Sequence, residues 1–377
     1  MLKLPRNLTP ELFLEQYWQV QPLLMPSALT RVRPAITRNE LGWLATLDDV
    51  ESRLVFVDRQ GSRTRYRAQV GPFSFEDLEQ LPKRDWTLLV HDVEKHLPTM
   101  RALFRHVPFI PDWRIDDLMV SFAAPGGGVG PHLDNYDVFL CQGIGVRNWR
   151  FSRDDIAECA EASDDLALLS EFDGEEVHDT AEGDVLYLPP GVAHWGTAKR
   201  ACITYSIGMR APEASDILFE LGGSTPDAEE FYRDPDLTAE EAKPGYISSQ
   251  SVHRAIRILG DQANSHHKIG QALGKLGTMP KDWLKPDDAT EQEADNALEY
   301  LNNGGRILVH GMALIAFDDE SLYVNGASFT MPANAASLLG MLCEKRSIRG
   351  TASLDVGHVE MLKWMLQHGA FEIPETS

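Results

Sequence analysis

The chain is poor in cysteine pairs, in basic charge and in long apolar runs, and each shortage excludes something. Four cysteines, Cys141, Cys159, Cys202 and Cys343, are scattered with no C-x-x-C spacing. Neither a disulfide framework nor a cysteine zinc site is expected, and the thiols read as free in a reducing cytoplasm. Lys and Arg number 35 against 57 Asp and Glu, a formal net charge of -22. Phosphate backbones are gripped by clustered cations, so duplex or single-stranded nucleic acid is a poor direct ligand, whereas a basic protein would be drawn toward such a field. No stretch approaches the ~20 apolar residues that span a bilayer, and the start, Met1-Leu2-Lys3-Leu4-Pro5-Arg6-Asn7, lacks the apolar run of a signal peptide. A cytoplasmic protein with no membrane segment is the expectation. With 377 residues the chain exceeds one typical domain and can bury more than one core.

What is present is a metal-ligand pattern. With 12 histidines in the chain, an isolated H-x-D is unremarkable; the context of Pro131-His132-Leu133-Asp134 is not. On an extended strand, residues two apart share a face, so His132 and Asp134 can approach one ion from one side. A second imidazole, His194, comes in Leu188-Pro189-Pro190-Gly191-Val192-Ala193-His194-Trp195. Two imidazoles and one carboxylate suit iron(II) and leave roughly three positions of an octahedral ion open. The run Pro125-Gly126-Gly127-Gly128-Val129-Gly130-Pro131 leads directly into His132, the kind of segment that lets backbone approach a ligand. Gly183-Asp184 reads as a turn, Val185 to Leu188 as a short strand, and Pro189-Pro190-Gly191 as the turn that delivers His194. In Arg147-Asn148-Trp149-Arg150-Phe151, period-two alternation puts Arg147 inward with Trp149 and Phe151. An inward guanidinium is costly without a partner, and its planar fork fits a carboxylate. The distal carboxylate of 2-oxoglutarate is one such partner, an internal acid the other.

The segment from Met119 through Phe151, centred on Pro-Gly-Gly-Gly-Val-Gly-Pro-His-Leu-Asp-Asn-Tyr-Asp-Val-Phe, resembles the bacterial ribosomal oxygenases of the JmjC/cupin class, densely over about residues 86 to 210. The resemblance implies iron(II) on His132, Asp134 and His194, 2-oxoglutarate on Arg147 with Ser121 as a helper hydroxyl, and molecular oxygen as the oxidant. It also implies a substrate pocket on Asp117, Met119 and Tyr136; Asp117, Met119 and Ser121 share one strand face and Tyr136 shares that of His132 and Asp134, while ordinary core packing is the alternative for Met119 and Tyr136. The implied reaction is hydroxylation at the β-carbon of an arginine in ribosomal protein L-sixteen. A lysine demethylase of the same barrel class and a non-catalytic cupin module are the competing readings.

The expected architecture is α+β. Residues 1–212 would form an N-terminal buttress, with an amphipathic helix over Glu11 to Trp18, and a double-stranded β-helix whose strands include Asp117 to Ala123, Tyr136 to Gln142 and Ala201 to Met209. The acidic stretch from Asp154 to Glu176 reads as a solvated excursion between strands. Residues 213–300 carry helical patterning at Ser248 to Leu259 and His266 to Leu276, and the resemblance points to a homodimer through this region. His266-His267 reads as a solvated helix start rather than a metal site. Residues 301–377 suggest a strand pair, Arg306 to Phe317 with Ser321 to Asn325, and helices over Asn334 to Cys343 and His358 to Gly369. That order resembles a winged helix, and its excess of acids over bases favours contact with protein over DNA.

Overall fold

The computed structural model describes residues 2–5, 8–60, 63–152, 161–163, 166–169, 172, 174–221, 231–259, 266–350 and 354–373. The chain divides into two compact units. The first comprises residues 1–108, 115–209 and 235–237, the second residues 109–114, 210–234 and 238–377.

In the first unit the strands are β1 (Leu23–Met25), β2 (Ser52–Gln60), β3 (Arg63–Val70), β4 (Trp86–Val90), β5 (Ile115–Ala123), β6 (Val138–Ile144), β7 (Val146–Phe151), β8 (Glu161–Ser163), β9 (Leu166–Leu168), β10 (Glu176–Ala181), β11 (Val185–Leu188), β12 (His194–Ala198) and β13 (Cys202–Met209). They form an eight-stranded sheet in the order β1-β11-β6-β13-β5-β4-β2-β3, a three-stranded sheet β10-β7-β12, and the hairpin β8–β9. Val138, Leu140, Leu186 and Leu188 of the larger sheet meet Trp149 and Phe151 of the smaller in one buried cluster with Val192. The two sheets thus face each other across a shared core, which is the double-stranded β-helix expected from the sequence. Gly145, at φ +74°, makes the turn from β6 into β7, where a Cβ would strike the carbonyl of Ala201.

The outer face of the larger sheet is covered by the N-terminal segment. Helix α1 (Pro10–Gln16) starts on Thr9, whose hydroxyl accepts from the Leu12 amide, with Pro10 at the first helical position. Its Phe13, with Trp18 just beyond, packs on Phe139 and Tyr187 at ring-centroid separations of 5.1–6.4 Å. Burying each of these rings is worth roughly 1.5–3 kcal/mol. Further helices are α2 (Arg38–Leu44), α3 (Phe75–Glu79) and α4 (Val93–His96).

The β5–β13–β6 register sets the character of the inner face. Thr204 lies opposite both Ser121 and Gln142, Ser206 opposite Met119, and Gly208 opposite Asp117. Polar side chains therefore line part of an otherwise apolar interior.

The second unit holds α5 (Ala214–Glu220), α6 (Ser249–Leu259), α7 (His266–Gly277), α8 (Glu291–Asn302), β14 (Arg306–Leu308), β15 (Ile315–Phe317), β16 (Ser321–Val324), β17 (Ala327–Thr330), α9 (Ala336–Lys345), β18 (Ser347–Arg349) and α10 (Val356–Gln367). Apolar residues of α5, α6 and α7 form one core with Trp113, Ala316 and Tyr323. A second core joins α8, α9 and α10 to the short strands. His266 and His267 stand exposed at the start of α7, as expected.

One expectation for the C-terminal elements is corrected. Arg306 to Phe317 is not one strand: the turn at Gly311-Met312 separates β14, paired with β18, from β15, paired with β16. Strands β17 and β18 were not foreseen, being too short to show alternation. Within the acidic stretch from Asp154 to Glu176, residues 154–160, 164, 165, 170, 171 and 173 lie outside the described residues, as does Cys159; the remainder carries β8–β9 and the start of β10. Cys141, Cys202 and Cys343 are buried. No described helix is long and apolar enough to cross a membrane.

Candidate active site

His132 and His194 meet through their main chains. The amide of each donates to the carbonyl of the other, at 3.0 and 2.8 Å, making an isolated antiparallel bridge at the point where β12 begins. Each imidazole is then steered by a tether of the same kind. Nδ1 of His132 lies 3.0 Å from the Gly130 carbonyl, and Nδ1 of His194 lies 2.9 Å from the Val192 carbonyl. A carbonyl can only accept, so both Nδ1 atoms carry hydrogen and both Nε2 lone pairs are left for a metal. Asp134 completes the group, its Oδ2 3.9 Å from Nε2 of His132 and 3.8 Å from Nε2 of His194. The three donor atoms lie within 4.8 Å of one another, the one such group among the described residues. Burial, with help from His132, pushes His194 down to about 4, so its imidazole is neutral as a ligand must be.

The route by which Asp134 reaches the group differs from the expectation. His132 sits in a bridge and Asp134 in irregular chain; β6 starts only at Val138. Strand parity therefore does not place Asp134 or Tyr136. A hydrogen bond from the Gly191 amide to the Asp134 carbonyl, 2.7 Å, ties this segment to the turn before His194 instead.

Parity does hold for Arg147. On β7, Arg147, Trp149 and Phe151 are buried and their neighbours are not. The guanidinium is 4% exposed and faces no carboxylate among the described residues, which removes the internal-acid reading. Its Nη1 donates to Ser121 Oγ at 3.2 Å and to Thr204 Oγ1 at 3.3 Å, while Nε is buried with no hydrogen-bond partner. Burial lowers its pKa, and the Cys202 thiol opposes the shift. A Cβ added at Gly196 would come within 2.9 Å of this Nε and 2.5 Å of the Trp149 ring, so glycine there keeps the approach open. The Trp149 ring stands between the arginine and the metal group, 5.0 Å from the guanidinium carbon and 6.0 Å from the His194 ring. An unserved donor beside an aromatic ring is what a small dicarboxylate with one free end needs.

Asp117 stands on β5, on the face it shares with Met119 and Ser121. Asp117 Oδ2 is 3.2 Å from His91 Nδ1, and a Cβ at Gly208 would meet Asp117 Oδ1 at 2.9 Å, so the facing strand leaves room for the carboxylate. Met119 is half-buried on the same face. Tyr136 occupies a bend, 41% exposed. Desolvation, then the nearby charges of Asp134, Asp117 and Asp116, hold its phenol protonated. Behind β5, buried Glu94 accepts from the Leu118 amide at 2.9 Å; burial pushes it up to about 7, Asp117 and Asp92 adding to the shift while Lys95 opposes it.

Thr204, Gln142, Thr180, Gly196 and His91 were not singled out by sequence reasoning. Only Gln142 carried a signal, an amide inside the apolar run Val138 to Ile144 followed by Gly143.

The JmjC domain family matches residues 102–217. The chain is 33% identical over 334 residues to the ribosomal protein uL16 3-hydroxylase of Escherichia coli, covering 85% of each. It is 35% identical over 269 residues to a probable ribosomal oxygenase of Haemophilus influenzae, covering 71% of this chain and 64% of that one. Among solved structures, the Escherichia coli ribosomal oxygenase YcfD in complex with cobalt and 2-oxoglutarate is similar at TM-score 0.71 and 29% identity over 97% of this chain and 98% of that one.

Proposed function

Because the chain belongs to the JmjC-domain ribosomal oxygenases, we propose that His132, Asp134 and His194 hold iron(II), that Arg147 with Ser121 receives the distal carboxylate of 2-oxoglutarate, and that Asp117, Met119 and Tyr136 receive the substrate side chain. The protein is an iron(II)- and 2-oxoglutarate-dependent protein hydroxylase. The observation that carries this reading is the buried, acid-free Arg147 with an open donor edge, one tryptophan away from a three-donor metal group.

When bound together, iron(II), 2-oxoglutarate and oxygen supply oxidative decarboxylation to succinate and carbon dioxide, with one oxygen atom passing to a substrate C–H bond. The chain's own residues supply the geometry. The two Nδ1 tethers fix the imidazole rings and their tautomers before metal arrives. Arg147 orients the co-substrate through a charge-assisted fork, and Trp149 with the apolar core of the two sheets keeps water from the reacting side. Asp117, anchored by His91, offers a carboxylate to a guanidinium that lies against the Tyr136 ring.

The substrate we infer is an arginine of the uL16 ribosomal protein, the protein named for the Escherichia coli relative, hydroxylated at its β-carbon. A basic ribosomal protein suits a chain of net charge -22. We place the protein in the cytoplasm, pair its helical segment 213–300 with a second copy, and assign the C-terminal elements a protein-contact role; a monomer mass in light scattering would remove the pairing.

The test is mass spectrometry of a uL16 peptide incubated with enzyme, iron(II) and 2-oxoglutarate, with succinate measured in parallel. One oxygen retained on arginine supports the reading. Formaldehyde from a methyl-lysine peptide would favour a demethylase, and absence of succinate a binding module. In the same assay Asp117→Asn is expected to lower peptide hydroxylation strongly while uncoupled succinate formation continues, since iron and Arg147 are untouched.

A further inference from the structure

Gln142 lies 1% exposed beneath Arg147 and contacts neither the metal group nor Asp117. Its position originates in an irregularity of the larger sheet. Between β6 and β13 the register slips: Ile203 faces Ile144, yet Thr204 faces Gln142, so Gly143 is an extra residue. Such a bulge disrupts the ladder and leaves main-chain groups to be served otherwise. Gln142 Nε2 donates to the carbonyl of Ile144 at 2.8 Å and to that of Ile203 at 3.1 Å.

Those two carbonyls settle the direction of everything that follows. Only an NH2 group can serve two acceptors, so Nε2 must face the bulge and Oε1 must face away from it. Oε1 lies 3.2 Å from the Thr204 hydroxyl and 3.3 Å from the Thr180 hydroxyl. Oε1 can only accept, so Thr204 spends its single hydrogen there, and its oxygen lone pairs are left for Nη1 of Arg147, 3.3 Å away. Thr180 binds the same seat from β10, its hydroxyl also 3.2 Å from the Arg147 carbonyl. A hydroxyl free to rotate could instead point its hydrogen at the guanidinium and repel it. Gln142 removes that option.

We propose that Gln142 is a positioning residue for the co-substrate: through Thr204 it fixes which edge of Arg147 is tethered and which edge is presented. Nη1 is consumed by Ser121 and Thr204, and Nε is left unserved on the side where Gly196 carries no side chain, a Cβ there coming within 2.9 Å of it. The ligand it serves has an anionic carboxylate end; the inference rests on the assignment of Arg147 to 2-oxoglutarate.

The experiment measures apparent KM for 2-oxoglutarate, kcat at saturating co-substrate, iron(II) affinity and melting temperature in Thr204→Val, Thr204→Ser, Gln142→Met and Arg147→Met. Thr204→Val severs the chain while leaving both bulge carbonyls served by Gln142, so it reports even if Gln142→Met does not fold. Loss of one hydrogen bond to a charged group should raise its KM roughly five- to tenfold, with kcat within about twofold and iron affinity at the parent level; Thr204→Ser, which keeps the hydroxyl, should restore the parent KM. An unchanged KM in Thr204→Val beside a raised KM in Arg147→Met overturns the role of Gln142 and spares that of Arg147. Parallel loss of KM, kcat and iron affinity in Thr204→Val would make the network structural and overturn the proposal as well. An unchanged KM in Arg147→Met would overturn the co-substrate assignment itself.

Discussion

The metal end of the site and the arginine end are built by opposite means. Around His132 and His194 the supports are local and made of backbone: each ring is tied to a carbonyl two residues upstream, and the two residues exchange main-chain hydrogen bonds. Around Arg147 the supports are distant side chains, Ser121 from β5, Gln142 from β6, Thr180 from β10 and Thr204 from β13. A backbone-held group depends on few side-chain identities, each indispensable. A seat assembled from four strands spreads its dependence, so each member matters less.

That contrast can be broken or sharpened by substitution. The largest effect is expected from Asp134→Ala, which should abolish succinate formation and tight iron binding while leaving the metal-free melting temperature near the parent value, because a half-exposed ligand rather than a core group is lost. Full activity in this variant would dismantle the metal assignment. Next comes Arg147→Met: apparent KM for 2-oxoglutarate should rise on the order of 100-fold, as a bidentate charged pair is removed, with iron affinity near normal. Coordinated loss of both affinities would mean that the ends are one cooperative unit. Gly196→Ala sharpens the distinction, since its Cβ would crowd Trp149 and Nε of Arg147 without touching a metal ligand. A rise in KM of roughly tenfold, with some loss of thermal stability, is expected from overpacking of this kind; calorimetric titration of iron should be unaffected.

A last effect concerns stability alone and lies outside both ends. Glu94 ionises near 4.5 when unfolded and at about 7 when folded, so the folded chain retains a proton that the unfolded chain has released. Its contribution is therefore most favourable below about 4.5 and declines as pH rises toward 7, by up to about 3 kcal/mol. Glu94→Gln has no proton to lose and can still accept from the Leu118 amide. Its advantage over the parent in denaturant melts should grow between pH 5 and pH 8; a constant difference would show that Glu94 stays ionised.

The same contrast explains what could be read from the chain beforehand. The metal end was legible because each determinant carries a local signal: His132, Asp134 and His194 sit among glycines and prolines that announce turns, and Arg147 obeys the alternation of its strand. Helices α6 and α7 were equally visible from apolar spacing. The path of Asp134 was not, because it depends on the Gly191 amide across a turn rather than on a strand of its own. Nor could Thr180 and Thr204 be found, since threonines suit any strand and only the register of three neighbouring strands brings them to one amide. Strands β17 and β18 escaped for a related reason, having four and three residues.

The bridge between His132 and His194 has one more consequence. It brings together two stretches of chain separated by β6, β7 and everything up to β12, so an ion gripping both imidazoles and Asp134 acts as a clasp on that whole excursion. Iron bound only by the folded chain would, at a hundredfold excess over its Kd, add about 2.7 kcal/mol to the cost of unfolding. Survival of the polypeptide against proteases would then track the supply of iron, making the abundance of the enzyme a gauge of metal nutrition.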